Sequence, residues 1–135
     1  MATALTNETT KKIYASNAYR SYKDQETIYN RLLKEKGQSY VNNAVSRPGF
    51  SEHQTGLILN IDTVGEFNKS VEKEWLKNNA HKYGFILRYP EKKEDITGYK
   101  SINKQYRYVG KDIANYIVKN NSTYEEYYAM FLDKE

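Results

Sequence analysis

The sequence predicts an α+β fold in which helices pack on a small, mainly antiparallel sheet. Three observations predict it. The periodic segments run as helices, then strands, then helices again, so the two kinds of element segregate along the chain. Two short runs, 57–61 and 85–89, carry the apolar and aromatic side chains that strands favour. Ser21, Ser70 and Thr123 each stand where a helix needs an N-cap.

The elements follow in order. Residues 2–11 carry only a faint helical signal, and 12–16 read as a short strand. Ser21 caps a helix from Tyr22 to Lys36, with Ile28 and Leu32 on one face at i, i+4 spacing. Gly37 interrupts it, and a second short helix runs to Val45 before the turn Arg47-Pro48-Gly49. In the strand 57–61, alternation puts Leu57, Leu59 and Ile61 on one face and Ile58, Asn60 and the following Asp62 on the other. Ser70 caps a helix from Val71 to Tyr83, which Gly84 stops. Strands are expected at 85–89 and 106–109, and Trp75, Tyr83 and Phe85 read as core. A helix covers 111–119, and a last one starts at Thr123, where Thr123 and Glu126 have capping-box spacing. No repeat, low-complexity tract or interior linker divides the 135 residues, so 1–135 are expected to form one domain.

Composition narrows the chemistry. The chain has no cysteine, which removes disulfides, thiolate metal sites and cysteine nucleophiles together. Its 14 tyrosines suit a small domain with a wet groove, because each ring is buried while its hydroxyl stays polar. The net charge of +4 is spread rather than clustered, and no nucleic-acid motif accompanies it, so no nucleic-acid partner is expected. No apolar stretch approaches the ~20 residues of a membrane span. No signal peptide opens the chain, and its abrupt start at Met1 leads us to expect an upstream segment in the parent protein.

Ser-Glu-His-Gln-Thr-Gly, residues 51–56, opens like a metal loop. His53 precedes a strand, and Asp62 follows on it; His81 lies near a helix end, where it suits the last carbonyls and the helix dipole. His53, Asp62 and His81 are the residues that a zinc site would have to use, but no HxxxH or HExxH spacing supports them. There is also no GxSxG elbow and no phosphate-cradling glycine loop.

The order of longer blocks is more informative. SNAYRSYKDQETIYN (16–30), SRPGFSEHQTGL (46–57), EWLKNNAHKYGFILRYP (74–90), ITGY (96–99) and YRYVG (106–110) resemble the VanY-type D-alanyl-D-alanine carboxypeptidases, zinc peptidases of the M15 group that trim peptidoglycan stem peptides. The resemblance covers about residues 12–132. It implies a LAS/Hedgehog-like D-Ala-D-Ala peptidase fold with a groove across the sheet, and a place at the cell envelope. The family's first zinc motif, SxHxxGxAxD, falls on Ser51, His53, Gly56, Ile58 and Asn60, so the histidine matches and the aspartate does not. The second, Glu-Pro-Trp-His before an aromatic or leucine and Arg-Tyr-Val-Gly, falls on Ile102, Asn103, Lys104 and Gln105. The resemblance therefore implies that Ile102 replaces the general-base glutamate, and that Asn60 and Gln105 replace two of three zinc ligands. It further implies that Arg20, Gln25 and Ser51 occupy the places that contact the substrate carboxylate, and Arg107 a structural place behind them.

Two neutral amides are poor zinc ligands, and isoleucine takes no proton. The expectation is thus a catalytically inactive relative without zinc, a cell-envelope binding or structural module for stem peptides or another D-amino-acid terminus. One alternative is an active enzyme with relocated ligands His53 and Asp62, although a two-residue step along a strand is about 6.6 Å. The other is a protein-interaction module whose groove is filled by Ile102 and Lys104. The competing reading of Arg20 is a structural salt bridge, and that of Gln25 a solvent-facing helix position.

Overall fold

The computed structural model describes residues 1–133. Its centre is a four-stranded sheet in the order β1-β2-β4-β3, every pairing antiparallel. The strands are β1 (Ile13–Asn17), β2 (Ile58–Thr63), β3 (Phe85–Tyr89) and β4 (Ile102–Tyr108). Helices α1 (Ala2–Thr9), α2 (Tyr22–Lys36) and α3 (Gln38–Ala44) precede β2; α4 (Val71–Asn79) precedes β3; α5 (Glu94–Thr97) joins β3 to β4; α6 (Lys111–Lys119) and α7 (Tyr124–Tyr127) follow. The expected α+β architecture is present, and no described helix is long and apolar enough to cross a membrane.

The sheet has two covered faces, and alternation decides what each receives. Leu59, Ile61 and Tyr106 point to one, where Leu5 of α1 and Trp75 and Leu76 of α4 pack on them. The Trp75 indole N–H donates to Glu8 at 2.7 Å and ties these helices together. Tyr83 and Phe85 join the margin of this core, as expected. Ile58, Asn60 and Gln105 point to the opposite face, beneath α2 and α3. Against β3, Ala114 and Ile117 of α6 bury Ile86 in a second, smaller cluster.

Several boundaries differ from the sequence reading. β2 starts at Ile58, not Leu57, and runs to Thr63; Leu57 stays 42% exposed. β4 begins at Ile102, well before 106, where Ile102 pairs with Tyr89 of β3; Asn, Lys and Gln hide it in sequence. α1 is a regular helix over most of 2–11. The helix from Ser70 ends at Asn79, and Ala80–Tyr83 continue as a tighter 3-10 turn. Gly84 closes that turn at φ +87°, where a Cβ would lie 2.6 Å from the Tyr108 ring and 3.2 Å from the Gly110 backbone. The capping boxes at Ser21 and Thr123 both form, the first with Asp24 and the second with Glu126.

A buried ion cluster joins the outer elements to the sheet. Arg88 of β3 is only 5% exposed and donates to Glu52 through Nε at 2.9 Å and Nη2 at 2.7 Å. It also donates through Nη1 to Glu125 of α7 at 2.9 Å. Arg107 of β4 donates to the second oxygen of Glu52. The Tyr89 ring lies 4.6 Å from the Arg88 guanidinium carbon, and the Tyr124 ring 4.6 Å from that of Arg107. Two cations and two carboxylates balance, and the forked pairing satisfies most of their hydrogen bonds. Removing one member leaves an uncompensated buried charge. Arg88→Met should therefore lower unfolding stability by about 3–5 kcal/mol in urea denaturation; a loss below about 1 kcal/mol would show that the cluster is incidental.

Candidate functional site

Topology brings the site together from four separate segments. Ser51 caps a 3-10 turn, Glu52–Thr55, by accepting the His53 backbone N–H at 3.3 Å. Gly56 ends the turn in the left-handed region at φ +71° and sends the chain into β2. Asn60 of β2 is the direct register partner of Gln105 on β4. Two positions 45 apart in sequence thus become cross-strand neighbours on the face that carries His53. From the β1–α2 connection, the Arg20 backbone N–H donates to the His53 carbonyl at 3.0 Å. Arg20, Gln25, Ser51, His53, Asn60, Ile102 and Gln105 all line one cleft of about 230 Å³ between α2 and the sheet.

His53 is held from both sides of its ring. Nδ1 lies 2.7 Å from the Ala18 carbonyl, and Nε2 lies 3.0 Å from Gln105 Nε2. A carbonyl can only accept, so Nδ1 carries the proton and the Nε2 lone pair accepts from the Gln105 amide. Burial lowers the His53 pKa, and the Arg20 charge adds to that; the Ala18 carbonyl and Glu52 oppose it. The ring is neutral with its lone pair directed into the cleft. That is the arrangement of a metal-ligating histidine, whose other nitrogen is fixed by a backbone carbonyl. Here the lone pair meets an amide N–H.

Zinc is the metal that the resemblance implies, and the donor set does not fit it. His53 offers one nitrogen, already engaged. Gln105 turns its amide nitrogen to His53, and the one donor it has for a metal is a neutral carbonyl oxygen. Asn60 keeps a buried Oδ1 with no hydrogen-bond partner, a neutral oxygen that suits harder cations. Among the described residues, no three His, Cys, Asp or Glu side chains converge on a point able to hold a metal ion. Asp62 does not rescue the set. Its carboxylate takes the Lys104 ammonium at 3.0 and 3.1 Å, and that hydrogen bond holds its pKa below the ordinary carboxylate value. Lys104 consequently leaves the cleft open instead of filling it; Ile102 does line it. His81 lies outside this cleft, in the 3-10 turn after α4.

The carboxylate-facing residues are arranged otherwise than a structural salt bridge would have them. Arg20 has no carboxylate within 4.0 Å among the described residues; its Nη1 donates to Gln25 Oε1 at 2.7 Å. Gln25 is 1% exposed rather than solvent-facing, and its amide N–H donates to the Ser46 carbonyl at 2.6 Å. Burial lowers the Arg20 pKa and nearby Asp24 opposes the shift. The guanidinium remains charged, oriented by a buried glutamine, with donors left for an anion. The residues that sequence reasoning missed are Glu52 and Arg88, which anchor the His53 turn to β3, and the Ala18 carbonyl. Glu52 stands inside the SEH motif, yet nothing in the sequence pairs it with an arginine 36 residues away.

The buried histidine makes stability depend on pH in a defined window. Its folded pKa lies below the ordinary 6.5, so between those two values the unfolded chain binds more protons. Stability is full above about 6.5 and falls as the pH drops toward the folded pKa. Glu52, also lowered, adds a separate loss only below its ordinary 4.5. Urea midpoints should fall from pH 7 to pH 5 in the parent protein, and fall less in His53→Gln; equal slopes would show that His53 is not the group responsible.

Comparison with known proteins agrees with this geometry. The VanY family model, D-alanyl-D-alanine carboxypeptidase, matches residues 1–111. YodJ of Bacillus subtilis (strain 168) is 41% identical over 124 residues, 87% of this chain and 45% of YodJ, so the chain spans about half of that relative. The bifunctional D-Ala-D-Ala dipeptidase and carboxypeptidase VanXYC of Enterococcus gallinarum is 35% identical over 127 residues, 87% of this chain and 67% of that protein. Among solved structures, the LdcB LD-carboxypeptidase superposes with a TM-score of 0.84 at 38% identity, covering 93% of this chain and 62% of LdcB. VanYB in complex with D-alanine-D-alanine superposes at 0.83 and 30% identity, covering 95% of this chain and 76% of VanYB. The motif order, the fold and these relatives agree: the chain belongs to the VanY family of D-alanyl-D-alanine carboxypeptidases.

Proposed function

We propose that this chain is a catalytically inert member of its family that holds, without cutting, the carboxylate end of a peptide ending in a D-amino acid. The observation that carries the reading is the 3.0 Å contact between His53 Nε2 and Gln105 Nε2, which occupies the lone pair a metal would need. Ile102 supplies no base at the wall of the cleft, and Glu52, the carboxylate that does line it, is taken up by Arg88 and Arg107. Binding asks for less. The Arg20 guanidinium, oriented by Gln25, offers paired N–H donors to a carboxylate. Ser51 keeps a hydroxyl proton to donate, since it only accepts from His53 N–H.

VanYB has been solved with D-alanine-D-alanine, and LdcB for its peptidoglycan recognition. The ligand class proposed is accordingly the peptidoglycan stem peptide, which would place this domain at the cell envelope as a binding module.

Titration with a peptide ending in D-Ala-D-Ala should give saturable binding, with the peptide recovered intact after prolonged incubation. Arg20→Leu should weaken binding roughly 10- to 100-fold, the loss expected for one charge-assisted hydrogen-bonded contact. Absence of binding at millimolar peptide, or release of D-alanine, would overturn the proposal.

A further inference from the structure

The two hydrophobic clusters of the fold do not merge. Leu76, Ala80 and Tyr106 belong to one, Ile86 and Ile117 to the other. Between them runs an apolar seam of about 280 Å³, which shares no residue with the Arg20 cleft. Protein interiors are normally close-packed, so an unfilled seam between two cores forgoes dispersion contacts that a ligand would supply. Its volume lies just under the usual range for small-molecule sites, about 300–1,000 Å³.

The charged groups that line the seam are two lysines, with no carboxylate among the described residues of the lining. Lys73 and Lys77 line it from α4, four residues apart and therefore on one helix face. Lys73 has no ion pair within 4.0 Å among the described residues, and Lys77 has only a solvent-exposed contact with Glu74 at 3.9 Å. His81 also lines the seam, and its Nδ1 is buried with no hydrogen-bond partner. An orphaned buried ring nitrogen is costly unless something satisfies it. The remaining polar side chains of the lining, Asn103, Tyr106, Asn121 and Ser122, are neutral.

From this juxtaposition we propose that the seam is a second binding site, for a small aliphatic monocarboxylate. Its chain lies between the two clusters, and its carboxylate lies between the α4 lysines and the His81 ring. Filling the seam joins both clusters into one core, so ligand binding also stabilises the fold by mass action.

The test is an amide NMR titration of the protein with octanoate and, in parallel, octanol. Octanoate should give saturable shifts centred on Leu76, Ile86 and Ile117, and octanol should bind at least tenfold more weakly. Lys73→Gln with Lys77→Gln should reduce octanoate affinity at least tenfold. Val118 is 44% exposed on α6 at the seam, so Val118→Trp should block the site while the spectrum stays that of the folded protein. Three results would each overturn the proposal: no saturable shifts there, equal affinity for octanol, or octanoate binding unchanged in both variants. Shifts centred on Arg20 instead would assign the carboxylate to the first cleft and equally overturn it.

Discussion

The buried guanidinium of Arg88 is the constraint on which the rest of the molecule leans. It lies at 5% exposure inside the sheet's outer layer, where an isolated charge would be untenable. Glu52 and Glu125 must both come to it, and with them come the turn that carries His53 and helix α7. Arg107 then closes the cluster on Glu52 from β4, the strand that also carries Gln105. One set of charges thus fixes the turn bearing the histidine relative to the strand bearing its partner. The geometry of the candidate site follows from that set.

Within this frame, His53 and Gln105 form a hydrogen-bonded pair of neutral groups on the floor of the cleft. The His53 ring is oriented by a backbone carbonyl, as a ligand would be, and an amide then satisfies its lone pair. The price of keeping Asn60 beside it is one buried oxygen left unpaired. Arg20 and Gln25 show the opposite trend. They are ordered, buried from the helix side and uncommitted to any carboxylate, as a site for anions requires. The same cleft therefore carries Ile102 and the paired His53 and Gln105 at one end, and at the other an arginine with no carboxylate partner among the described residues.

Much of this was legible in the sequence. Capping residues located α2, α4 and α7, because an N-cap is a local arrangement of neighbouring groups. The blocks of the family motif located His53, Asn60, Ile102 and Gln105, which the sheet register brings to one cleft. The start of β4 was not legible, since Ile-Asn-Lys-Gln carries little strand signal and is held by pairing to β3 at Ile102 and to β2 at Gln105. Nor was the fate of Asp62, whose partner Lys104 lies 42 residues away. Arg88 read as one residue of an apolar strand; only the fold reveals that its acceptors come from a distant turn and a distant helix.

The central claim is that three side chains, Asn60, Ile102 and Gln105, separate this cleft from a zinc site. The most direct measurement is a calorimetric zinc titration of the parent chain beside the triple variant Asn60→Asp, Ile102→Glu, Gln105→His. The account predicts no zinc binding at micromolar metal in the parent, and one site per chain in the variant with at least a hundredfold higher affinity. One tightly held zinc in the parent would contradict it, as would a folded variant that still binds none.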